Sequence, residues 1–473
     1  MSVLRKIFGL SCLAIAWNAS GAAAPDAAER PNVVVLLADD LGYGDLGSYG
    51  HPVHRTPHID QLAAEGQRWT DFYAAAPVCT PSRGSLLTGR LPIRLGLEAP
   101  AGKPNVFFPF STSGLPLAEV TLAELLRPAG YATALIGKWH LGFPVAYSPN
   151  AQGFDYFFGT PGSNDMSPAG PWSMGLFFKE PDSRDWDVPL YRNDKVVERP
   201  VRQDTLTARY TEEAVAFIRQ NRDRPFFLML SWNMPHVPLF ATDTFRKTSG
   251  GGLYAAAVEE LDWSAGQVVA ALKELGLERK TLVVFTSDNG AIPLFRERGG
   301  SNGLLRGGKG TTWEGGLRVP GIFWGPGRVE PGVVHGIGSQ LDLLPTVAEL
   351  AGRQPAADRA LDGVSLVATL SARAPSPRDS VVYYRQGEIY ALRKGALKAH
   401  FTTEGVYGDG EARNAHDPPL LFDLSQDAGE RFPITEADTG RLRQFEQLKA
   451  AQEIAAPAAP SELLNGLPPG PGG

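Results

Sequence analysis

Asn32-Val33-Val34-Val35-Leu36-Leu37-Ala38-Asp39-Asp40 is the stretch that decides the fold class. Its apolar run, residues 33–38, has no polar interruption and no helical spacing of apolar residues. A short continuous run of this kind reads as a strand buried on both faces, the signature of a parallel sheet. Runs of the same kind recur at 132–136, 226–230, 282–285 and 321–324. Amphipathic helical stretches lie between them, at 56–65, 121–129, 206–221, 254–275 and 342–351. The alternation predicts an α/β fold: a large, mostly parallel central sheet flanked by helices.

Past residue 370 the pattern changes. A Pro/Ser/Arg-rich stretch at 371–378 reads as a linker. Short strands are expected at 381–384, 389–393, 397–401 and 420–423, then a helix at 439–452. That predicts a small C-terminal α+β domain with an antiparallel sheet. The expected division is a catalytic domain over 25–370, the small domain over 371–455 and a disordered Ala/Pro/Gly-rich tail over 456–473.

Composition narrows the function classes. The 473 residues are 43% hydrophobic and 10% aromatic, which excludes wholesale disorder. Lys+Arg is 45 against 51 Asp+Glu, a formal charge of −6, so no basic excess exists to hold nucleic acid. Two cysteines exclude a disulfide framework. Residues 1–24 carry Arg5-Lys6, an apolar run from Ile7 to Trp17 and the small residues Ala22-Ala23-Ala24. This is the layout of a cleaved export signal, and its apolar run is too short for a membrane anchor. The Asn-x-Ser/Thr sequon Asn18-Ala19-Ser20 falls inside it, and Cys79 is the cysteine that would remain. A periplasmic or secreted bacterial protein fits these features.

Polar residues follow the buried runs. Asp39-Asp40 follow 33–38, Lys138-Trp139-His140 follow 132–136, and Asp288-Asn289 follow 282–285. His236 comes a short loop after 226–230. In open α/β sheets the site lies beyond the carboxyl ends of the strands. Three carboxylates together repel one another without a cation, and an oxygen-only set favours Ca²⁺, with Mg²⁺ the alternative. Taken singly, each acid could equally cap a helix or turn. Lys138 and His140 share a face of an extended segment, an arrangement suited to an anionic substrate and proton transfer. Lys309 sits in the glycine-rich loop Arg306-Gly307-Gly308-Lys309-Gly310, which lacks the spacing of a P-loop. Cys79 and Arg83 lie about one turn apart at the expected N-terminus of a helix, which favours anions. A buried apolar cysteine or a thiolate nucleophile are the other readings of Cys79.

The string Cys79-Thr80-Pro81-Ser82-Arg83-Gly84-Ser85-Leu86-Leu87-Thr88-Gly89-Arg90 resembles the signature of the formylglycine-dependent sulfatases. Gly137-Lys138-Trp139-His140-Leu141-Gly142 is similar to the second signature of that family. Residues 114–142 and 398–430 resemble its arylsulfatase A-like branch, without the disulfide cysteines of the animal members. The resemblance implies that a formylglycine-generating enzyme oxidises Cys79. The aldehyde hydrates to a gem-diol, one oxygen of which attacks sulfur. Loss of a proton from the second hydroxyl then releases sulfate by C–O cleavage.

It implies roles as well. Asp39, Asp40, Asp288 and Asn289, with residue 79, would hold Ca²⁺. Arg83 would balance the diol's charge. Lys138 and Lys309 would clamp the sulfate, His140 would take a proton, and His236 would assist the leaving alcohol. Ser163 matches a further site serine, and Asn164 replaces the histidine common there. The expected partner is a sulfated small molecule or glycan. Two other functions stay open: hydrolysis of phosphodiesters or phosphonate monoesters on the same scaffold, and a silent module that binds sulfated glycans. His51, His54 and His58 read as a surface loop, and His400 and His416 as structural. Trp172, Phe177, Phe178 and Trp186, in the insertion 163–192, read as packing beneath a loop rather than as a sugar or aryl platform.

Overall fold

The computed structural model describes residues 30–406, 411–435 and 439–467. The expected export signal, 1–24, lies outside the described residues. Ten strands form the main sheet: β1 (Asn32–Ala38), β2 (Gln67–Tyr73), β3 (Ala132–Gly137), β4 (Tyr156–Gly159), β5 (Leu190–Arg192), β6 (Lys195–Glu198), β7 (Phe226–Ser231), β8 (Thr281–Ser287), β9 (Arg318–Trp324) and β10 (Gly332–Ser339). Their spatial order is β10-β2-β9-β8-β1-β7-β3-β4-β5-β6. The central strands β8, β1, β7, β3 and β4 are mutually parallel. Strand β9 is antiparallel to both its neighbours, and β5 to both of its own.

Strand β1 shows why its run is wholly apolar. Val34, Leu36 and Ala38 point into the core under the helices Leu206–Gln220 and Gly252–Glu274. Val33, Val35 and Leu37 point into a second core, on the face of the helices Cys79–Thr88 and Leu343–Leu350. A strand covered on both faces has no side to expose, so alternation disappears. Register then levels the strand ends: Ala38 pairs with Ser287, Leu37 with Ser231, and Ser231 with Gly137. The residues that follow emerge side by side at one edge. Gly137 sits at φ +114, and a Cβ there would lie 1.7 Å from the Ser231 carbonyl oxygen, so no larger residue fits at this turn.

The second sheet is antiparallel, in the order β11 (Ser380–Arg385), β12 (Glu388–Lys394), β13 (Leu397–Thr403) and β14 (Asn414–Asp423). Helix Thr439–Ala455 packs on it through the buried Phe445. Two sequence expectations are corrected here. Residues 371–378 are no free linker: Ser371 and Ala372 close the helix Val367–Ala372, and Arg378 pairs with the buried Asp342 at 2.5 Å. The tail is not disordered from Ala456 through Leu467. Ala459 and Glu462 donate backbone hydrogen bonds to Ile93 and Gly96, and Leu463 is 1% exposed in the core. Its few apolar residues dock on the large domain, a long-range contact that composition does not reveal. Among the described residues, no helix is long and apolar enough to cross a membrane.

Candidate active site

The four adjacent ends of β8, β1, β7 and β3 converge on the start of the helix Cys79–Thr88. Cys79 is buried at its first turn, with Sγ 3.7 Å from Asp39 Oδ1. Burial pushes the Cys79 thiol up to about 12. Asp39, Asp40, Asp288 and Cys79 present ligand atoms that all lie within 4.8 Å of one another. Asp40 and His140 both adopt left-handed backbone at φ 63 and 61, so each strand end turns sharply to aim its side chain inward.

Three cations balance the three acids. Lys138 Nζ donates to Asp39 Oδ2 at 2.6 Å, and Lys309 Nζ lies 2.8 Å from Asp40 Oδ1. Arg83 Nε donates to Asp288 Oδ2 at 2.9 Å, and a terminal nitrogen approaches Asp39 at 3.5 Å. Burial alone would raise Asp39, but Lys138, His236 and Arg83 outweigh it and hold the carboxyl below its usual range. Burial likewise opposes charge on Lys138, and Asp39 reverses that, so its pKa is raised.

The two histidines differ in what they offer. His140 Nε2 donates to the Phe107 carbonyl at 3.1 Å, which leaves Nδ1 as the bare nitrogen. That Nδ1 is buried without a hydrogen-bond partner among the described residues. Burial first, then Lys138 and Arg83, hold His140 well below the ordinary histidine value, so it is a neutral proton acceptor. His236 bonds its own loop through Nδ1 to the Val237 carbonyl, and Nε2 stands 3.5 Å from both Asp40 Oδ2 and Ser163 Oγ. Asn164 is turned away, donating to the Pro238 carbonyl at 2.9 Å.

The donor set fits a hard divalent cation. It offers three carboxylates and Asn289, whose Oδ1 is buried with no hydrogen-bond partner among the described residues. Asn289 Nδ2 donates to Asp40 Oδ1 at 2.7 Å, so the amide already stands beside the acids.

The side chains that hold the site residues in place are not legible in the sequence. Ser231 Oγ accepts from Arg83 at 2.7 Å and donates to the Lys138 carbonyl at 2.8 Å, clamping two site residues to the end of β7. Its signal was faint: a serine closing an apolar run. The loop bearing Lys309 is held from the C-terminal domain. Lys398 bonds the Thr312 carbonyl and pairs with Glu314 and Glu430, and His400 donates to Glu430 at 2.6 Å while its ring lies tilted against Trp313, centroids 4.3 Å apart. His416 contacts Thr403 Oγ1 at 3.0 Å. His51 and His54 stack at 3.4 Å beside Asp45, which is saturated by Gly42, Ser301 and Tyr254 and pushed up to about 7 by burial. His58 stands apart from that group. Phe177 and Trp186 are packed, whereas Trp172 and Phe178 are exposed.

Comparison with known proteins follows the same outline. Residues 31–353 match the family model described as Sulfatase, and residues 376–462 match the C-terminal region of aryl-sulfatase. Human arylsulfatase A is 42% identical over 93% of this chain and 92% of its own. Human N-acetylgalactosamine-6-sulfatase is 39% identical over 95% of this chain and 92% of its own. Among solved structures, the PsFucS1 sulfatase from Pseudoalteromonas sp. superimposes with a TM-score of 0.79 at 31% identity, covering 92% of each chain.

Proposed function

The chain belongs to the sulfatase family and is a sulfuric ester hydrolase, and from that premise we propose that it works through an oxidised Cys79 and a Ca²⁺ site. The observation that carries the reading is the convergence on Cys79 of three carboxylates, Lys138 and two histidines from four adjacent strand ends, joined by Arg83 from the helix Cys79–Thr88 and Lys309 from its glycine-rich loop. Asp39, Asp40, Asp288 and Asn289 would hold Ca²⁺, with Mg²⁺ the alternative. In place, the oxidised Cys79 would supply an aldehyde hydrate as nucleophile and the cation a positive charge beside it, which no unmodified side chain offers.

The protein's own residues do the rest. Arg83, locked between Asp288 and Ser231, keeps a permanent positive charge beside residue 79. Lys138 and Lys309 bring ammonium groups to either side of the cluster, where they meet the oxygens of a sulfate ester. The bare Nδ1 of His140 is placed to accept the hydroxyl proton of residue 79 as the C–O bond to sulfate would break and the aldehyde re-form. His236 Nε2, with Ser163 beside it, stands where the departing alcohol oxygen gains charge. Three bound acids against three bound cations leave the apo cluster close to neutral. A divalent cation then provides the excess charge that an anionic ester needs.

Residues 1–24 would direct export to the periplasm or outside the cell, and a formylglycine-generating enzyme would act on Cys79 during maturation. The test is peptide mass spectrometry of the tryptic fragment 69–83 together with turnover of phenyl sulfate. Protein carrying the aldehyde or its hydrate at position 79 is expected to cleave phenyl sulfate faster than phenyl phosphate or a phosphonate monoester, and to lose that activity with a chelator. Fully converted protein with no sulfate-ester turnover would refute the proposal.

A further inference from the structure

A cavity of about 1150 Å³ opens outward from Cys79, His140, Ser163, His236 and Lys309. It is larger than the 300–1,000 Å³ of an ordinary small-molecule site, so a phenyl group would leave most of it empty. Three segments far apart in sequence build its walls, and all present apolar side chains. Phe108 and Phe110 form one wall, stacked at 5.3 Å with planes 5° apart. Met166 and Trp172 come from the insertion after β4, and Leu294 and Phe295 from the loop after β8.

Several of these are exposed. Phe110 is 50% and Trp172 60% open to solvent, and Leu294 and Met174 at the same mouth are exposed too. Scattered exposed apolar residues are ordinary, but a contiguous rim around one cleft marks a binding surface. Polar side chains on the walls are few: Asn105, Asp165 and Ser167, with Ser163 nearer the floor. Lys309, at the floor, is the one lysine or arginine lining the cavity among the described residues, and Asp165 adds a negative charge to the wall. A polyanionic glycan would find no second lysine or arginine there, and Asn105, Asp165 and Ser167 are few polar groups for the hydroxyls of an extended saccharide.

We propose that this cavity is a subsite for an extended apolar alcohol. The substrate class is then a sulfate ester whose charged head sits at the Cys79 cluster and whose hydrocarbon body lies between the Phe108–Phe110 wall and the Trp172–Phe295 wall. The inference rests on the sulfatase reading of that cluster. It assigns Phe110 and Trp172 as specificity determinants, which nothing in the chemistry of the cluster itself requires.

The experiment uses the full chain carrying the aldehyde at position 79 and a series of 4-alkylphenyl sulfates from methyl to octyl. Leaving-group acidity is nearly constant along the series, so the chain length reports burial alone. Each methylene that leaves water is expected to raise kcat/KM about fourfold until the cavity is filled. Phe110→Ser and Trp172→Ser change exposed side chains at the cavity mouth. They are expected to flatten that dependence below about twofold per methylene. Calorimetric titration with n-alkyl sulfonates, which cannot be hydrolysed, reads the same length dependence in Kd. A flat series in both kcat/KM and Kd would overturn the inference, as would N-acetylgalactosamine 6-sulfate turning over faster than 4-octylphenyl sulfate. A steep dependence in Kd without turnover of any ester would uphold the apolar subsite and instead refute the hydrolytic reading.

Discussion

Replacing Lys398 by Met perturbs the junction between the two sheets at one atom. The Lys398 ammonium is fully buried, 3.0 Å from Glu314 Oε1, 2.9 Å from Glu430 Oε1 and 2.9 Å from the Thr312 carbonyl. Methionine keeps the volume and removes the charge, which leaves two buried carboxylates sharing less compensation. Glu314 retains Arg318 at 3.4 Å and the hydroxyls of Tyr73 and Tyr383, with Arg393 nearby, and Glu430 retains His400 and the Glu314 backbone N–H. Breaking a buried pair costs about 3–5 kcal/mol, and these remaining partners place Lys398→Met near the lower end.

The deficit has a definite pH dependence. Burial would raise Glu314, but Lys398, Arg318 and Arg393 outweigh it and hold the carboxyl well below its usual value. A depressed folded pKa contributes stability that is present above the unfolded value of about 4.3 and is lost as pH falls through the folded one. Without Lys398 the carboxyl takes up a proton at higher pH. His400, lowered by burial and by Lys398, is also freed to protonate against Glu430. Both effects act in one direction, so the deficit is largest at pH 7.5 and shrinks toward pH 5. Urea denaturation midpoints with unchanged slope measure it at both pH values. The double variant Glu314→Gln/Lys398→Met is expected to recover part of the loss. A deficit under about 1 kcal/mol at pH 7.5, well short of the cost of a broken buried pair, or one equal at both pH values, would refute the charge argument.

Three further outcomes are expected. Because burial, Lys138 and Arg83 depress His140, the acidic limb of kcat falls below the ordinary histidine value of about 6.5, and His140→Ala abolishes that limb; a limb at or above it contradicts the assignment. In unconverted, chelator-treated protein the Cys79 thiol stays protonated until about pH 12, so iodoacetamide at pH 8 modifies it far more slowly than free cysteine, with the rate still rising above pH 9; rapid alkylation at pH 8 would show an open thiolate instead. Truncation after Ala455 removes the buried Leu463 and two backbone bonds to residues 93 and 96, and is expected to cost about 2–3 kcal/mol in urea denaturation, whereas an unchanged midpoint would mean that the docking contributes nothing.

The five long apolar runs were readable as strands because each is covered on both faces or nearly so, and continuous apolar sequence follows directly from that burial. Strands β2 and β10 were not readable. Gln67–Tyr73 mixes Arg68, Thr70 and Asp71 into its run, and the first half of Gly332–Ser339 is largely exposed. The exposed half of β10 resembles a polar loop in composition, whereas β2 is mostly buried and pairs its polar residues across the fold, as Asp71 does with Arg318 and Arg393. The short β4, β5 and β6 carry too few residues for any period to register. The antiparallel sense of β9 was equally hidden, since its run is as apolar as its parallel neighbours and direction depends on the path of the connections.

Which chemistry is available follows from the order of residues alone. Carboxylates, lysines and histidines placed directly after buried strands must emerge at one sheet edge, because strand ends in register leave them nowhere else to go. That order also fixes the residue that lies at the first turn of the helix Cys79–Thr88. The tertiary structure decided everything that depends on the distance between remote segments. It set the tautomer of His140 through the Phe107 carbonyl, braced the Lys309 loop from Lys398 and His400, and docked Leu463 against the large domain. It brought Phe110, Trp172 and Phe295 to one mouth as well. Local sequence encodes what a side chain can do. The partners that fix its protonation and its reach come from elsewhere in the chain, and only the closed fold brings them within hydrogen-bonding distance.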